Sequence, residues 1–182
     1  NIINSVFPLK DPDDRPKIYL TDEEKQYDRI ASLKKPVIMF TVLGSTIPKS
    51  MPFDYVAQLI DFITTTYNAS ILFNYAPNQK EDALKIYELC NGKEQINLDI
   101  YEDSIRGFIK LMNQCDLLIA NEGGTVHITK ALDKPTFTIY SPYIEKGDWN
   151  SFEDGITHDS IHLLDEKPHL FEEFTRESRK VI

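Results

Sequence analysis

The sequence predicts an α/β fold, a mostly parallel sheet covered by helices on both faces. From Lys35 onward, short apolar runs alternate with stretches of helical periodicity. Strands alternating with helices of this length imply right-handed crossovers and a parallel sheet. The first run, Pro36 to Leu43, is apolar or β-branched at every position rather than alternating, as expected of a strand buried on both faces. At 182 residues the chain fits one ordinary domain and can bury a sizeable core.

The elements follow in order. The first strand ends at Gly44, and Pro52 opens a helix in which Val56, Leu59, Ile60, Ile63 and Tyr67 recur at helical spacing before Asn68 stops it. Ser70–Tyr75 predicts a second strand. A helix with a stripe of Ala83, Ile86, Tyr87 and Cys90 follows and closes at Asn91-Gly92. Gln95–Leu98 predicts a short third strand, and the next helix presents Ile105, Phe108, Ile109 and Met112 on one face. Asp116–Ala120 is the clearest strand; it runs into Asn121-Glu122-Gly123-Gly124, then a helix from about Thr125 to Leu132, then the strand Thr136–Tyr140. Residues 36–165 are therefore expected to form a Rossmann-like three-layer domain.

The flanks differ in character. Residues 1–35 carry the turn-rich stretch Asp11-Pro12-Asp13-Asp14-Arg15-Pro16, a short strand over Lys17–Leu20 and a helix opened by the capping box Thr21-Asp22-Glu23-Glu24. They read as a connector from a further, N-terminal domain, an expectation that fits a first residue of Asn rather than Met. Residues 166–182 predict a C-terminal helix packed on the outside.

Composition removes several function classes. The formal net charge is −9, whereas a nucleic-acid binder needs basic surface to displace counterions. No apolar run approaches the roughly 20 residues that cross a membrane. Cys90 and Cys115 lack the spacing of a zinc or redox motif and read as buried hydrophobes. Asp11-Pro12-Asp13 has the spacing of a metal-binding carboxylate pair, but it sits in the connector and is assigned no role.

In a parallel α/β sheet, ligands bind beyond the carboxyl ends of the strands, which singles out three loops. The first, Gly44 to Pro52, offers the hydroxyls of Ser45 and Thr46 and the point charge of Lys49. It is not a Walker loop, which needs a second glycine and an adjacent Gly-Lys-Ser/Thr, and Lys49 also reads as an ordinary solvated charge. The second, Tyr75 to Gln79, offers Gln79 as a partner for a ribose hydroxyl, or simply as the start of a helix. The third, Glu122 to His127, is the most informative. Gly123 and Gly124 let a ligand approach the backbone, and the amides of a helix N-terminus face it, with a dipole worth roughly 0.3–1 kcal/mol for an anion. His127 lies within reach of the same place. Glu122, a carboxylate beside an anion site, is suited to accepting hydrogen bonds from sugar hydroxyls. A tight turn with a helix-capping His is the alternative.

These three loops in this order resemble glycosyltransferase family 9, the heptosyltransferases of lipopolysaccharide core assembly. The likeness runs from about Pro36 to Trp149 and centres on Cys115 to Thr136: a strand, an acidic residue, glycine, a His, then Ala131-Leu132-Asp133-Lys134-Pro135-Thr136. The resemblance implies a GT-B enzyme, with two Rossmann-like halves and an active site between them, of which this chain is the C-terminal, donor-binding half. It implies a nucleotide diphosphate sugar as donor, no metal, and a glycan or lipid-linked acceptor reached through the other half. That other half would also supply the catalytic base of an inverting displacement, so the chain alone is expected to be inactive. Lys49, Ser45 and Thr46 would meet the donor phosphates, the amides of Gly123, Gly124 and Thr125 the diphosphate, and His127 would match the family His. Gln79 stands where the family has a ribose-binding Glu, and Glu122 where it has an Asp near the transferred sugar, so a different nucleotide or sugar is left open. A cytoplasmic, bacterial setting at the inner membrane face is likewise implied by the family. The rival reading is a non-catalytic Rossmann-like module that binds a nucleotide or a partner protein.

Overall fold

A computed structural model describes residues 14–168. Five parallel strands, β1 (Val37–Thr41), β2 (Ser70–Asn74), β3 (Leu117–Asn121), β4 (Thr136–Tyr140) and β5 (His158–His162), form one sheet in the order β2-β1-β3-β4-β5. Helices α2 (Phe53–Tyr67) and α3 (Lys80–Leu89) cover one face, and α4 (Ile105–Gln114) and α5 (Gly124–Lys130) the other. Single turns α1 (Asp22–Lys25) and α6 (Leu163–Glu166) flank this body.

The layering follows from the pleat, which sends successive side chains to opposite faces. On β1, Ile38 and Phe40 join the core under α2 and α3, while Val37 and Met39 join the core under α4. β2 divides in the same way, with Ile71 and Phe73 on one side and Leu72 on the other. The helices meet these faces with Val56, Ala57, Ile60 and Ile63 of α2, Ala83 and Ile86 of α3, and Phe108, Ile109, Leu111 and Met112 of α4. α2 ends on Asn68 in the left-handed conformation, φ 53°, a state that Asn tolerates better than most residues. Cys90 and Cys115 are buried core residues, and burial pushes their thiols up to about 11 and about 12.

The structure departs from the sequence-based expectation at four places. Lys17–Leu20 is not a strand: Ile18 donates one backbone bond to the carbonyl of Ala131, at the end of a helix where no strand offers a ladder. Gln95–Leu98 makes only an isolated bridge between Ile96 and Ile71 beside the edge strand β2. Ile105 is 72% exposed, since it is the first residue of α4 and burial on that helix begins only at Gly107; Leu111 takes a core place that the expected stripe lacked. β5 was not expected, because His158-Asp159-Ser160-Ile161-His162 carries one apolar residue and reads as neither a buried run nor an amphipathic one. The Asp11-Pro12-Asp13 stretch and nearly all of the helix expected over 166–182 lie outside the described residues. The capping box is formed, with Thr21 and Glu24 exchanging side-chain and backbone bonds.

The β5 edge is fastened by a buried polar knot rather than by apolar packing. The side chain of Lys130 is 2% exposed and its Nζ donates to the carbonyl of Ser151 at 2.7 Å, with Glu153 at 3.6 Å. Glu153 also accepts from the Tyr140 hydroxyl at 2.9 Å and the Ser160 hydroxyl at 2.7 Å. One carboxylate thus joins α5, β4 and β5. Burial lowers the pKa of Lys130 against the opposing pull of Glu153. Breaking a buried pair leaves an uncompensated charge, so Glu153→Leu should cost about 3–5 kcal/mol of stability in urea denaturation. A loss within experimental error would show that the knot does not hold the edge.

Candidate functional site

The strand order defines where a ligand can enter. From β1 the chain crosses to β2 on one side and returns to β3 on the other, so the connections diverge at the carboxyl ends of β1 and β3 and leave a crevice there. A cavity of about 310 Å³ occupies it. Its walls come from Gly44 and Ser45 after β1, Tyr75 and Gln79 after β2, the Tyr101–Ser104 segment before α4, and Glu122 to Thr125 after β3.

Three polar residues that end strands form the floor: Thr41, Asn74 and Asn121. Asn74 donates to the Thr41 hydroxyl at 3.1 Å, and Asn121 donates to the Thr41 carbonyl at 3.4 Å. The sequence does not single them out as site residues. Part of their signal is local, since Asn74 and Asn121 each close an apolar run on the edge where a parallel sheet binds ligands, whereas Thr41 stands inside its run. Nor does the sequence single out the Tyr101–Ser104 wall. There Tyr101 stacks on Tyr75, with centroids 4.6 Å apart, and its hydroxyl donates to the Tyr75 carbonyl at 2.9 Å. Glu102 in that wall accepts from the Tyr27 hydroxyl and from Arg29 at 3.0 Å, so residues of the N-terminal segment brace the cavity.

Of the nine residues singled out from sequence, six line the cavity: Ser45, Gln79, Glu122, Gly123, Gly124 and Thr125. Gly123 has φ 151°, a conformation that side-chain-bearing residues rarely adopt, and a Cβ on either Gly123 or Gly124 would meet nothing within 4 Å. The backbone at this turn therefore faces open space. Thr46 and Lys49 lie on the adjoining loop, outside the lining. That loop is tightly built. The Gly44 amide donates to the Ser50 hydroxyl at 2.9 Å, which in turn donates to the Thr46 carbonyl at 2.9 Å. A Cβ on Gly44 would sit 2.5 Å from the Lys49 carbonyl oxygen, so only glycine fits. His127 is also outside the lining; its ring lies 6.4 Å from that of Trp149, and burial foremost, then Lys130, holds its pKa below the ordinary imidazole value.

Glu122 is the polar centre of the cavity. Its Oε2 accepts from the Ser141 amide at 3.2 Å. Burial raises its pKa, opposed by that amide, by its own amide and by the charges of Lys49 and His162. Gln79 spends both ends of its amide on backbone: Oε1 accepts from Ala76 at 2.9 Å and Nε2 donates to Gly44 at 2.7 Å. Among the described residues no three His, Cys, Asp or Glu side chains converge as metal ligands. No described helix is long and apolar enough to cross a membrane.

With this geometry in hand, comparison with known proteins is decisive on family. The sequence model of glycosyltransferase family 9 (heptosyltransferase) matches residues 3–165. The chain belongs to glycosyltransferase family 9. Solved structures agree on the fold. The glycosyltransferase family 9 protein of Veillonella parvula superposes with a TM-score of 0.66 at 17% identity, covering 87% of this chain and 46% of that one. ADP-heptose lipopolysaccharide heptosyltransferase II of E. coli gives 0.65 at 20% identity, with 84% and 47% covered. An E. coli heptosyltransferase solved with ADP-2-deoxy-2-fluoro heptose gives 0.54 at 18% identity, with 81% and 45% covered. The chain thus spans about half the length of the structures it matches, and its sheet is a Rossmann-like half of the GT-B architecture. Comparison with curated proteins gives no match.

The raised pKa of Glu122 has a thermodynamic consequence. Where an acid is harder to ionise in the folded state, it favours folding below its unfolded pKa, and that contribution is lost as pH rises through the folded value. Glu122→Gln keeps an acceptor for the Ser141 amide but removes the charge. It should therefore melt above the unmodified protein at neutral pH, with the gap closing once pH falls below the ordinary carboxylate range. Thermal melts across pH check this; a variant less stable at neutral pH would mean that Lys49 and the amides outweigh burial.

Proposed function

We propose that this chain is the C-terminal, donor-binding half of an inverting glycosyltransferase. It would hold a nucleotide diphosphate sugar, carrying a heptose or a similar sugar, for transfer to a cell-envelope glycan acceptor. The observation that carries the reading is the turn at Gly123-Gly124. It opens without steric obstruction onto the cavity, directly beside the half-buried carboxylate of Glu122. An anion meets backbone amides there while a neutral, hydroxyl-rich group meets the carboxylate, which is the polarity of a sugar joined to a diphosphate. The E. coli relative solved with an ADP-sugar analogue supports the same class of ligand.

The chemistry assigned to this half is leaving-group stabilisation. An acceptor hydroxyl, deprotonated by a base on the other half, attacks the anomeric carbon as the nucleoside diphosphate departs. Charge builds on the departing phosphate oxygen. Lys49 and the amides of Gly123, Gly124 and Thr125 answer it without a metal, by fixed dipoles and one charge in a shielded crevice. Ser45 and Thr46 extend the phosphate side, and Glu122 orients the sugar through its hydroxyls. Acceptor binding, the base and a place of work at the inner membrane face belong to the same proposal.

Calorimetric titration with a panel of nucleoside diphosphates and nucleotide sugars tests it. Lys49→Ala should weaken binding of the preferred nucleoside diphosphate about 10- to 100-fold, the worth of one charge-assisted hydrogen bond. Glu122→Ala should lower affinity for the nucleotide sugar while leaving that for the bare diphosphate unchanged. Equal losses for both ligands would remove Glu122 from the sugar, and an unaltered diphosphate affinity in Lys49→Ala would remove Lys49 from the phosphates.

A further inference from the structure

We propose that Gln79 is a positioning residue, a strap that ties the loop after β2 to the loop after β1 and so sets Lys49, rather than a direct reader of the donor's ribose. The inference rests on the donor-site reading above for its effect on binding, but its structural basis is independent of that reading. Both ends of the amide are committed, and their order is fixed by chemistry: the Ala76 N–H can only donate, so Oε1 faces it, and the Gly44 carbonyl can only accept, so Nε2 faces that.

Gly44 is the residue through which the strap acts, because it is held on three sides. Its carbonyl takes the Gln79 bond at 2.7 Å, its amide donates to Ser50 at 2.9 Å, and its Cα lies against the backbone of Lys49 too closely for a methyl group. The loop then closes on itself through Lys49 N–H to the Thr46 carbonyl at 3.0 Å and Ser50 N–H to the Ile47 carbonyl at 2.9 Å. Displacing Gly44 must displace the turn that carries Lys49. The Gln79 bond spans two loops whose strands are neighbours, β1 and β2, paired from Val37↔Ser70 to Thr41↔Asn74. The sheet thus fixes one end of the strap relative to the other.

Gln79→Glu separates the two roles. A carboxylate still accepts from Ala76 and accepts from ribose hydroxyls at least as well as an amide, but it cannot donate to Gly44 and repels its carbonyl. Gln79→Met removes both bonds at similar length and guards against an effect peculiar to the new charge. In the nucleotide-free full-length protein, both variants should raise hydrogen exchange at the amides of Gly44, Lys49 and Ser50 by about three- to tenfold, the weight of one neutral hydrogen bond, while β1 amides keep their rates. Nucleoside diphosphate affinity should fall by about the same factor for ribose and 2′,3′-dideoxyribose forms alike, and the fall should vanish in a Lys49→Ala background. Unchanged loop exchange overturns the strap. A loss confined to the ribose forms, or one fully additive with Lys49→Ala, overturns the route through Lys49. If no nucleoside diphosphate binds the unmodified protein, the donor reading fails, and the exchange comparison decides the strap on its own.

Discussion

The burial of β1 on both faces is the constraint on which the rest of this structure depends. All five of its residues are buried, and it is hydrogen-bonded to β2 on one side and β3 on the other. A strand so placed has no solvent-facing side, so both neighbouring strands and both helical layers are needed to bury it. A shift of one residue in register would exchange Ile38 and Phe40 with Val37 and Met39 across the two cores. The same register fixes the loops. With Thr41 opposite Asn74 and Ala120, the segments that leave β1, β2 and β3 emerge at one level and can only meet beyond the sheet's carboxyl edge. The site is a consequence of strand pairing before it is a collection of functional side chains.

The acidic excess of the whole chain extends into that site. A chain of net charge −9 repels anions at long range, and carboxylates of Glu102, Asp103 and Glu122 stand in the cavity wall itself. Two of them are answered locally. Glu102 is occupied by Tyr27 and Arg29, which lower its pKa with the tyrosine bond foremost. Glu122 feels Lys49, His162 and the Ser141 amide. The amides of the Gly123-Gly124 turn contribute partial charges that need no basic side chain. On the proposed donor-binding reading, an acidic protein keeps one spot for a phosphate group because screening confines the global field while contacts at bonding distance decide binding.

The periphery obeys different rules from the centre. β5 has little apolar surface to bury, and its attachment is polar: Lys130, Glu153, Tyr140 and Ser160 satisfy one another in the interior. The N-terminal segment is held likewise. Ile30 enters the core, Arg29 reaches Glu102 and the carbonyls of Asp99 and Tyr101, and Arg106 binds Glu24. Residues expected to serve as a connector thus also stiffen the Tyr101–Ser104 wall of the cavity.

What the sequence determined by itself was the alternation of strands and helices, their approximate limits, the parallel sheet, and the three loops that meet at its carboxyl edge. These are written in local pattern: apolar runs, helical spacing, and Gly or Asn at the turns. Tertiary structure alone decided which side chains face one another. The Thr41–Asn74–Asn121 floor depends on three strands lying side by side, and the commitment of Gln79 to Gly44 joins residues 35 apart in sequence. The exposure of Ile105, the separation of His127 from the cavity lining and the existence of β5 belong to the same class. Periodicity reports the face a residue prefers. Only the packed chain decides where that face ends and what stands across from it.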